Sequence, residues 1–180
     1  MTDDEEERLL VLRVQQGDIA AFESILRRLH KPLRNYVTRM VGELIADDVL
    51  QEISWKIYQQ IRFLREPTAF RSWVYRIASR IALVHLGREK RWCSFEEEAH
   101  DLNSASSTAF PEDGEIESGL LAMVDRVSPA SRAVLLLHYQ QNLSLEETAV
   151  ILDLPLGTVK SRLAYGITTL RKFFKEKETK

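Results

Sequence analysis

Apolar residues recur along this chain at the three- and four-residue spacing of amphipathic helices. In "ERLLVLRVQQGD" (7–18), Leu9, Leu12 and Val14 keep that spacing until Gly17 breaks it. Asp18 is placed to cap "IAAFESILRRLHKPLRNYVTRMVG" (19–42), with Phe22, Ile25, Leu26 and Leu29 on one face. Pro32 is expected to interrupt or kink this helix, and Gly42 to end it. In "ADDVLQEISWKIYQQI" (46–61), Val49, Ile53, Ile57 and Ile61 recur every fourth residue, leaving Asp48, Glu52 and Trp55 on the opposite side. A further helix starts near Thr68 and runs through "AFRSWVYRIASRIALVHLGREKRW" (69–92). Its expected buried stripe is Phe70, Val74, Ile77 and Ile81, and Arg71, Arg76, Arg80, Arg88 and Lys90 lie outside.

The remainder of the chain also reads as helical. Ser128-Pro129 supplies a cap and a first-turn proline for "PASRAVLLLHYQQN" (129–142). Ser144 and Glu147 form the S-x-x-E box that opens the next helix, with Ala149, Ile151 and Leu152 inward. The turn "DLP" leaves no room for a loop, and Pro155 forces a new helix whose inner stripe is Val159, Leu163, Ile167 and Leu170. At or near its exposed start lie Gly157, Thr158, Lys160, Ser161, Arg162 and Tyr165.

Charge divides this helical chain into blocks. Net charge is only −2 over 180 residues, but residues 62–92 carry a local +6, residues 156–180 a local +5 and residues 96–117 a local −8. Asp3 to Glu7 add five more acids. Two basic segments with an acidic one between them suit two contacts with a polyanion and a connector that repels it, and solvated helix faces are the other reading of such charge blocks. The stretch "FEEEAHDLNSASSTAFPEDGEIESG" (95–119) is poor in large apolar residues and reads as a flexible acidic linker. The expected organisation is all-α: one helical domain over 1–93, a linker over 94–118 and a second helical domain over 119–180.

The chemistry points to recognition. Trp73, Tyr75 and Trp92 are interleaved with arginines, and that mixture suits unpaired bases, since phosphates attract charge and bases need a stacking surface. Core packing is the other reading of these aromatics. The helix pair at 145–174 has the geometry of a DNA-reading helix-turn-helix: a helix enters the major groove by its N-terminal residues while the preceding helix braces the backbone. Lys160 and Arg162 suit phosphate or guanine. An enzyme is not expected. The acidic runs lie in the linker, His30, His85, His100 and His138 have no metal-ligand spacing, no glycine-rich phosphate loop occurs, and nothing calls for a cofactor. The single cysteine, Cys93, permits no internal disulfide. No apolar run approaches the roughly 18 residues that a membrane crossing needs, and the acidic N-terminus is unlike a secretory signal, so a cytoplasmic protein is expected.

Four segments in order, "GDIAAFESILRRLHKPL", "DDVLQEISWKIY", "FRSWVYRIASRIALVHL" and, after the acidic stretch, "SRAVLLLHYQQNLSLEETAVILDLPLGTVKSRL", resemble a bacterial sigma factor of the extracytoplasmic-function group. The resemblance implies two helical domains, sigma regions 2 and 4, that bind core RNA polymerase and promoter DNA. Region 2 would hold the β′ clamp coiled coil through Asp47, Asp48, Gln51, Glu52 and Trp55, and would meet and open the −10 element through Arg71, Trp73, Tyr75, Arg76 and Arg80. Region 4 would bind the β flap and read the −35 element through Thr158, Lys160, Ser161, Arg162 and Tyr165. An anti-sigma factor is implied as a controlling partner. The chain departs from the family pattern at Ser54 (usually aromatic), Arg80 (usually Asn), Val84 (usually Asp) and Tyr165-Gly166 (usually Arg-Ala). Two other functions fit the residues: a sigma-like decoy that binds only an anti-sigma factor, and a free-standing helix-turn-helix regulator.

Overall fold

A computed structural model of the chain describes residues 3–87 and 121–178. The expectations for the 94–118 linker and for Arg88, Lys90, Trp92, Cys93 and His100 lie outside the described residues. The fold is all-α, and the chain divides into two compact units, Met1–His85 and Leu86–Lys180.

In the first unit, α1 (Asp3–Gln15) precedes α2 (Ile19–Val41), α3 (Glu43–Gln60) and α4 (Phe70–His85). Asp18 caps α2, its Oδ1 accepting the Ala21 N–H at 3.0 Å. That bond, together with Arg13, holds the Asp18 carboxyl below its ordinary range. Pro32 does not break α2, which runs unbroken from 19 to 41. Proline removes one N–H, and the buried ridge on both sides of it, Ile25, Leu29, Leu33, Tyr36, Val37 and Met40, outweighs the lost bond. Gly42 then takes φ 90°, a left-handed-side conformation that suits glycine, and turns the chain directly into α3.

The four-residue ridge of α3 is buried as its spacing predicts: Val49, Ile53 and Ile57 are fully enclosed and Ile61 nearly so. Elsewhere the expected faces are rotated. In α1 the enclosed residue is Val11, while Leu9 is exposed and Leu12 and Val14 are half-buried. In α4, Phe70 and Val74 are buried, but the ridge continues through Ala78 and Ala82 with Tyr75, Ser79 and Leu83, leaving Ile77 and Ile81 half-buried. Small residues at 78 and 82 let α4 lie close to its neighbours α2 and α3. Ser79 tolerates burial because its Oγ shares a 2.7 Å hydrogen bond with the Tyr36 hydroxyl.

In the second unit, α5 (Pro129–Leu135) is capped by Ser128, whose Oγ accepts the Ser131 N–H at 3.3 Å. It does not continue as α-helix to Asn142: Leu136–Gln140 widen into a π-turn, and the His138 Nδ1–H donates to the Leu143 carbonyl at 2.7 Å. The predicted capping box opens α6 (Leu145–Leu152), with Glu147 N–H to Ser144 Oγ at 3.1 Å and Ser144 N–H to Glu147 Oε2 at 2.8 Å. The inward residues of α6 are Thr148, Ile151 and Leu152, while Ala149 is only half-buried. Asp153 adopts the left-handed conformation, φ 55°, and the chain enters α7 (Leu156–Glu178) within three residues. The stripe Val159, Leu163, Ile167 and Leu170 is buried as expected.

Helix α7 approaches α5 at Gly166, where a Cβ would meet Leu135 Cδ1 at 2.8 Å and Cγ at 3.2 Å. Gly166→Ala sets a helix-propensity gain of about 1 kcal/mol against an overpacking cost of about 1–3 kcal/mol. Because Leu135 is fully buried and cannot swing away, thermal unfolding should show a net loss of about 1 kcal/mol. The loss should shrink in a Leu135→Ala background.

Candidate nucleic-acid and partner interfaces

Three surfaces follow from how these helices bury their ridges. The first lies on α3. Because Val49, Ile53 and Ile57 point inward, Asp47, Asp48, Gln51, Glu52 and Trp55 are all exposed. Four of the five, Asp48, Gln51, Glu52 and Trp55, line one open groove of about 680 Å3 with Ser54, Tyr58 and the α2 residues Phe22 and Leu26. Asp47 stays outside it and is bound to Arg34, whose Nε lies 3.3 Å from its Oδ1. Aromatic rings form one wall: Phe22 tilts against Tyr58 at 5.2 Å, and Tyr58 stacks with Trp55 at 5.9 Å. Trp55 remains 60% exposed. An acidic rim around an apolar, aromatic floor suits a partner helix with a basic edge. The Glu52 carboxylate also meets His85 Nε2 at 2.8 Å, linking this groove to the end of α4.

The second surface is the outer side of α4. Arg71, Arg76 and Arg80 are exposed, and Trp73 is half-exposed with its ring tilted over Phe70. Tyr75 departs from the expectation. It is 1% exposed, packed edge-on to Tyr36 at 5.4 Å, and it cannot stack on a base. It lies one residue after Val74 and four before Ser79, on the buried side of the helix. Burial pushes its phenol up to about 12, against the opposing influence of Arg71, which hydrogen-bonds to it. A different aromatic is available. Phe63 is 74% exposed in the short 3-10 turn Ile61–Phe63 between exposed Arg62 and Arg65, just before α4. Periodicity passed over it because it falls between two helices; the start of the basic block at residue 62 was its only signal in the sequence.

The third surface is the start of α7. Thr158, Lys160 and Ser161 are half-exposed, and Tyr165 is 45% exposed. Ser161 Oγ donates to the Thr158 carbonyl at 3.0 Å, which fixes its rotamer. Arg162 departs from the expectation of an exposed cation: it is 7% exposed. Position 162 follows Val159 by three residues and precedes Gly166 by four, so it lies on the flank of the buried stripe. The outward row is therefore Thr158, Ser161 and Tyr165, with Lys160 beside it.

Comparison with known proteins gives the family. Family models match residues 25–92 as "Sigma-70 region 2" and residues 118–170 as "Sigma-70, region 4". The chain is 31% identical over 168 residues to the ECF RNA polymerase sigma-E factor of Haemophilus influenzae, covering 87% of this chain and 89% of the relative. It is 31% identical over 176 residues to the RNA polymerase sigma-H factor of Pseudomonas aeruginosa, covering 91% of each. Among solved structures it is similar to CnrH in complex with the cytosolic domain of CnrY, with a TM-score of 0.65, 20% identity and coverage of 95% and 98%. It is also similar to the sigma factor RpoE of Bartonella quintana in complex with the anti-sigma factor NepR, with a TM-score of 0.61, 18% identity and coverage of 86% and 96%. The two family matches, one over each helical unit, identify a sigma-70-type transcription initiation factor. Within that class, the chain belongs to the extracytoplasmic-function sigma factors. Among the described residues no group of three His, Cys, Asp or Glu could hold a metal ion, and no helix is long and apolar enough to cross a membrane.

The opposite placements of Tyr75 and Arg76 give a direct test. Tyr75→Ala should cost about 3–5 kcal/mol of stability, as truncation of a buried aromatic does. Arg76→Ala should stay within about 0.5 kcal/mol of wild type in denaturant unfolding.

Proposed function

We propose that this sigma factor docks core RNA polymerase through the α3 groove and engages the −10 element through α4 and the turn before it. The start of α7 reads the −35 element. The observation that carries the proposal is the outer side of α4, where three exposed arginines flank a half-exposed tryptophan and follow an exposed Arg62-Phe63-Arg65 turn. Phosphates are met by guanidinium groups, and unpaired bases are met by rings. Strand separation needs both, and the phosphodiester chemistry belongs to the polymerase.

The residues assigned to each contact follow from exposure. Asp48, Gln51, Glu52 and Trp55 face the β′ clamp, with Asp47 at the margin. Arg71, Trp73, Arg76 and Arg80 face the −10 element together with Arg62, Phe63 and Arg65. Thr158, Lys160, Ser161 and Tyr165 face the −35 element. Tyr75 and Arg162 support these surfaces from inside their units. Tyr165 presents a ring and a hydroxyl where the resemblance leads one to expect a cation, so this part of the −35 contact is a base-edge or sugar contact more than a phosphate one. The second unit also meets the β flap. The setting is the cytoplasm, where polymerase and promoter are. An anti-sigma factor controls the chain, a reading supported by the Bartonella quintana sigma factor solved with its anti-sigma factor.

Reconstituted transcription tests the proposal. Core polymerase with this chain should initiate at promoters selected from a randomised library that core alone ignores. DNA binding without polymerase would indicate a free-standing regulator, and tight binding to an anti-sigma factor with no initiation would indicate a decoy. In the same assay Lys160→Ala should weaken promoter binding and reduce its log–log salt slope by about one. Phe63→Ala and Trp73→Ala should impair strand opening, read by permanganate footprinting, more than closed-complex formation.

A further inference from the structure

We propose that the partner helix that docks on α3 reaches past the groove onto Leu44 and Ile45, an apolar start of α3 that the chain holds outside its own core; this rests on the core-polymerase reading of the groove. Leu44 is 100% exposed, and Ile45 beside it is 36% exposed. At about 100° per residue, Leu44 stands about half a turn from the buried ridge Ala46, Val49, Leu50, Ile53 and Ile57, so no slight roll of α3 would bury it. A single exposed apolar residue calls for no explanation, but one that prolongs a recognition surface does. Leu44 lies one turn before Asp48, where the groove begins, and Leu44, Asp48, Gln51, Trp55 and Tyr58 fall within an arc of about 80°. They make one outward row about 21 Å long, apolar at its start, polar in its middle and aromatic at its end.

The charges beside this row leave its start apolar. On one flank Arg34 of α2 engages both nearby acids, Glu43 through Nη2 at 2.5 Å and Asp47 through Nε at 3.3 Å. On the other flank Glu52 meets His85. Asp48 is the acid that stands in the row itself, one turn from Leu44. A helix lying along α3 touches it about every three to four residues, and the outward side chains it meets in order are Leu44, Asp48, Gln51, Trp55 and Tyr58. Its matching edge therefore carries an apolar side chain opposite Leu44 and Ile45, a cation near Asp48 and Glu52, and an apolar side chain on the Trp55–Tyr58 stack. Two apolar ends around a charged middle fix the register of the partner along α3, which the charges alone would leave free to slide. Covering Leu44 also removes apolar area from water and adds a contact that salt does not screen.

Competition of the full chain and its variants for core RNA polymerase tests this. Leu44→Ser should bind core about three- to tenfold more weakly, and Leu44→Met, which keeps an apolar side chain, about as tightly as wild type. The loss at Leu44 should persist from low salt to about 0.5 M salt, whereas that of Asp48→Asn should fade. Leu9→Ser, at a 49% exposed residue of α1, should leave affinity unchanged. Thermal unfolding of both Leu44 variants should match wild type, because that side chain is fully exposed. Asp48→Asn and Trp55→Ala keep failure of the docking reading apart from failure of its extension. If neither weakens core binding, the docking reading of α3 is wrong and the extension falls with it. If either weakens it but Leu44→Ser binds like wild type, or if Leu9→Ser gives the same loss, the partner does not reach the start of α3.

Discussion

The rotational setting of α4 is the constraint on which the first unit depends, and Tyr75 and Tyr36 fix it. The Tyr75 ring packs edge-on against Tyr36, the Tyr36 hydroxyl is bound to Ser79 Oγ one turn further along α4, and the Tyr75 hydroxyl takes a hydrogen bond from Arg71. Burying two phenols is tolerable only while their hydroxyls keep partners. Turning α4 by one residue, about 100°, would break these contacts together and bring Ala78 or Arg80 to the azimuth of Ser79. Held as it is, the helix turns Arg71, Arg76 and Arg80 to solvent. The surface assigned to nucleic acid is thus a by-product of a buried polar joint.

The second unit solves the same problem with a gap. Helix α7 must lie close to α5 to bury Val159, Leu163, Ile167 and Leu170, and at the crossing only a residue without Cβ clears Leu135. The left-handed Asp153 turns the chain from α6 into α7 within three residues. Together the crossing and this turn decide which of the first residues of α7 look outward. Arg162 falls on the inner flank although its charge suggests otherwise, and Tyr165, next to the close-packed glycine, is turned out.

How far the fold could be read in advance tracks how the buried ridges are built. In α3 and along α7 the ridges consist of branched aliphatic residues every third or fourth position, and periodicity located them. In α4 half of the ridge is Ala78, Ser79 and Ala82, small residues that carry no hydropathy signal and become buried through close approach and one hydrogen bond. The isoleucines at 77 and 81 outweighed them in any pattern. Caps were legible because they are local: Asp18, Ser128 and Ser144-Glu147 all act within three residues. The continuity of α2 through Pro32 and the π-turn after Leu135 were not, since both depend on packing from elsewhere in the chain. Of the site, the α3 face was legible as a list of residues, but the groove was not, because Phe22 and Leu26 reach it from another helix. The division of the aromatics near α4 was left open by the sequence. Tyr75 proved to be core, and Phe63, outside any periodic segment, is the more exposed ring.

The first unit carries an acidic face and a basic face on neighbouring helices, and the two cannot move independently. Helices α3 and α4 share a core in which Ile53, Ile57, Val74 and Ala78 are fully buried, and such close-packed contacts pass on small displacements. The Glu52–His85 contact spans the same pair at the surface. A partner helix that enters the α3 groove and recruits Glu52 with a basic side chain competes with His85, which sits in the last turn of α4. Occupation of the groove is therefore felt at the last turn of α4 through the loss of that contact. Charges of both signs in so small a unit would neutralise one another if they were free to mingle. The buried ridges of α3 and α4 keep Asp48 and Glu52 on one face of this small unit and Arg71, Arg76 and Arg80 on another.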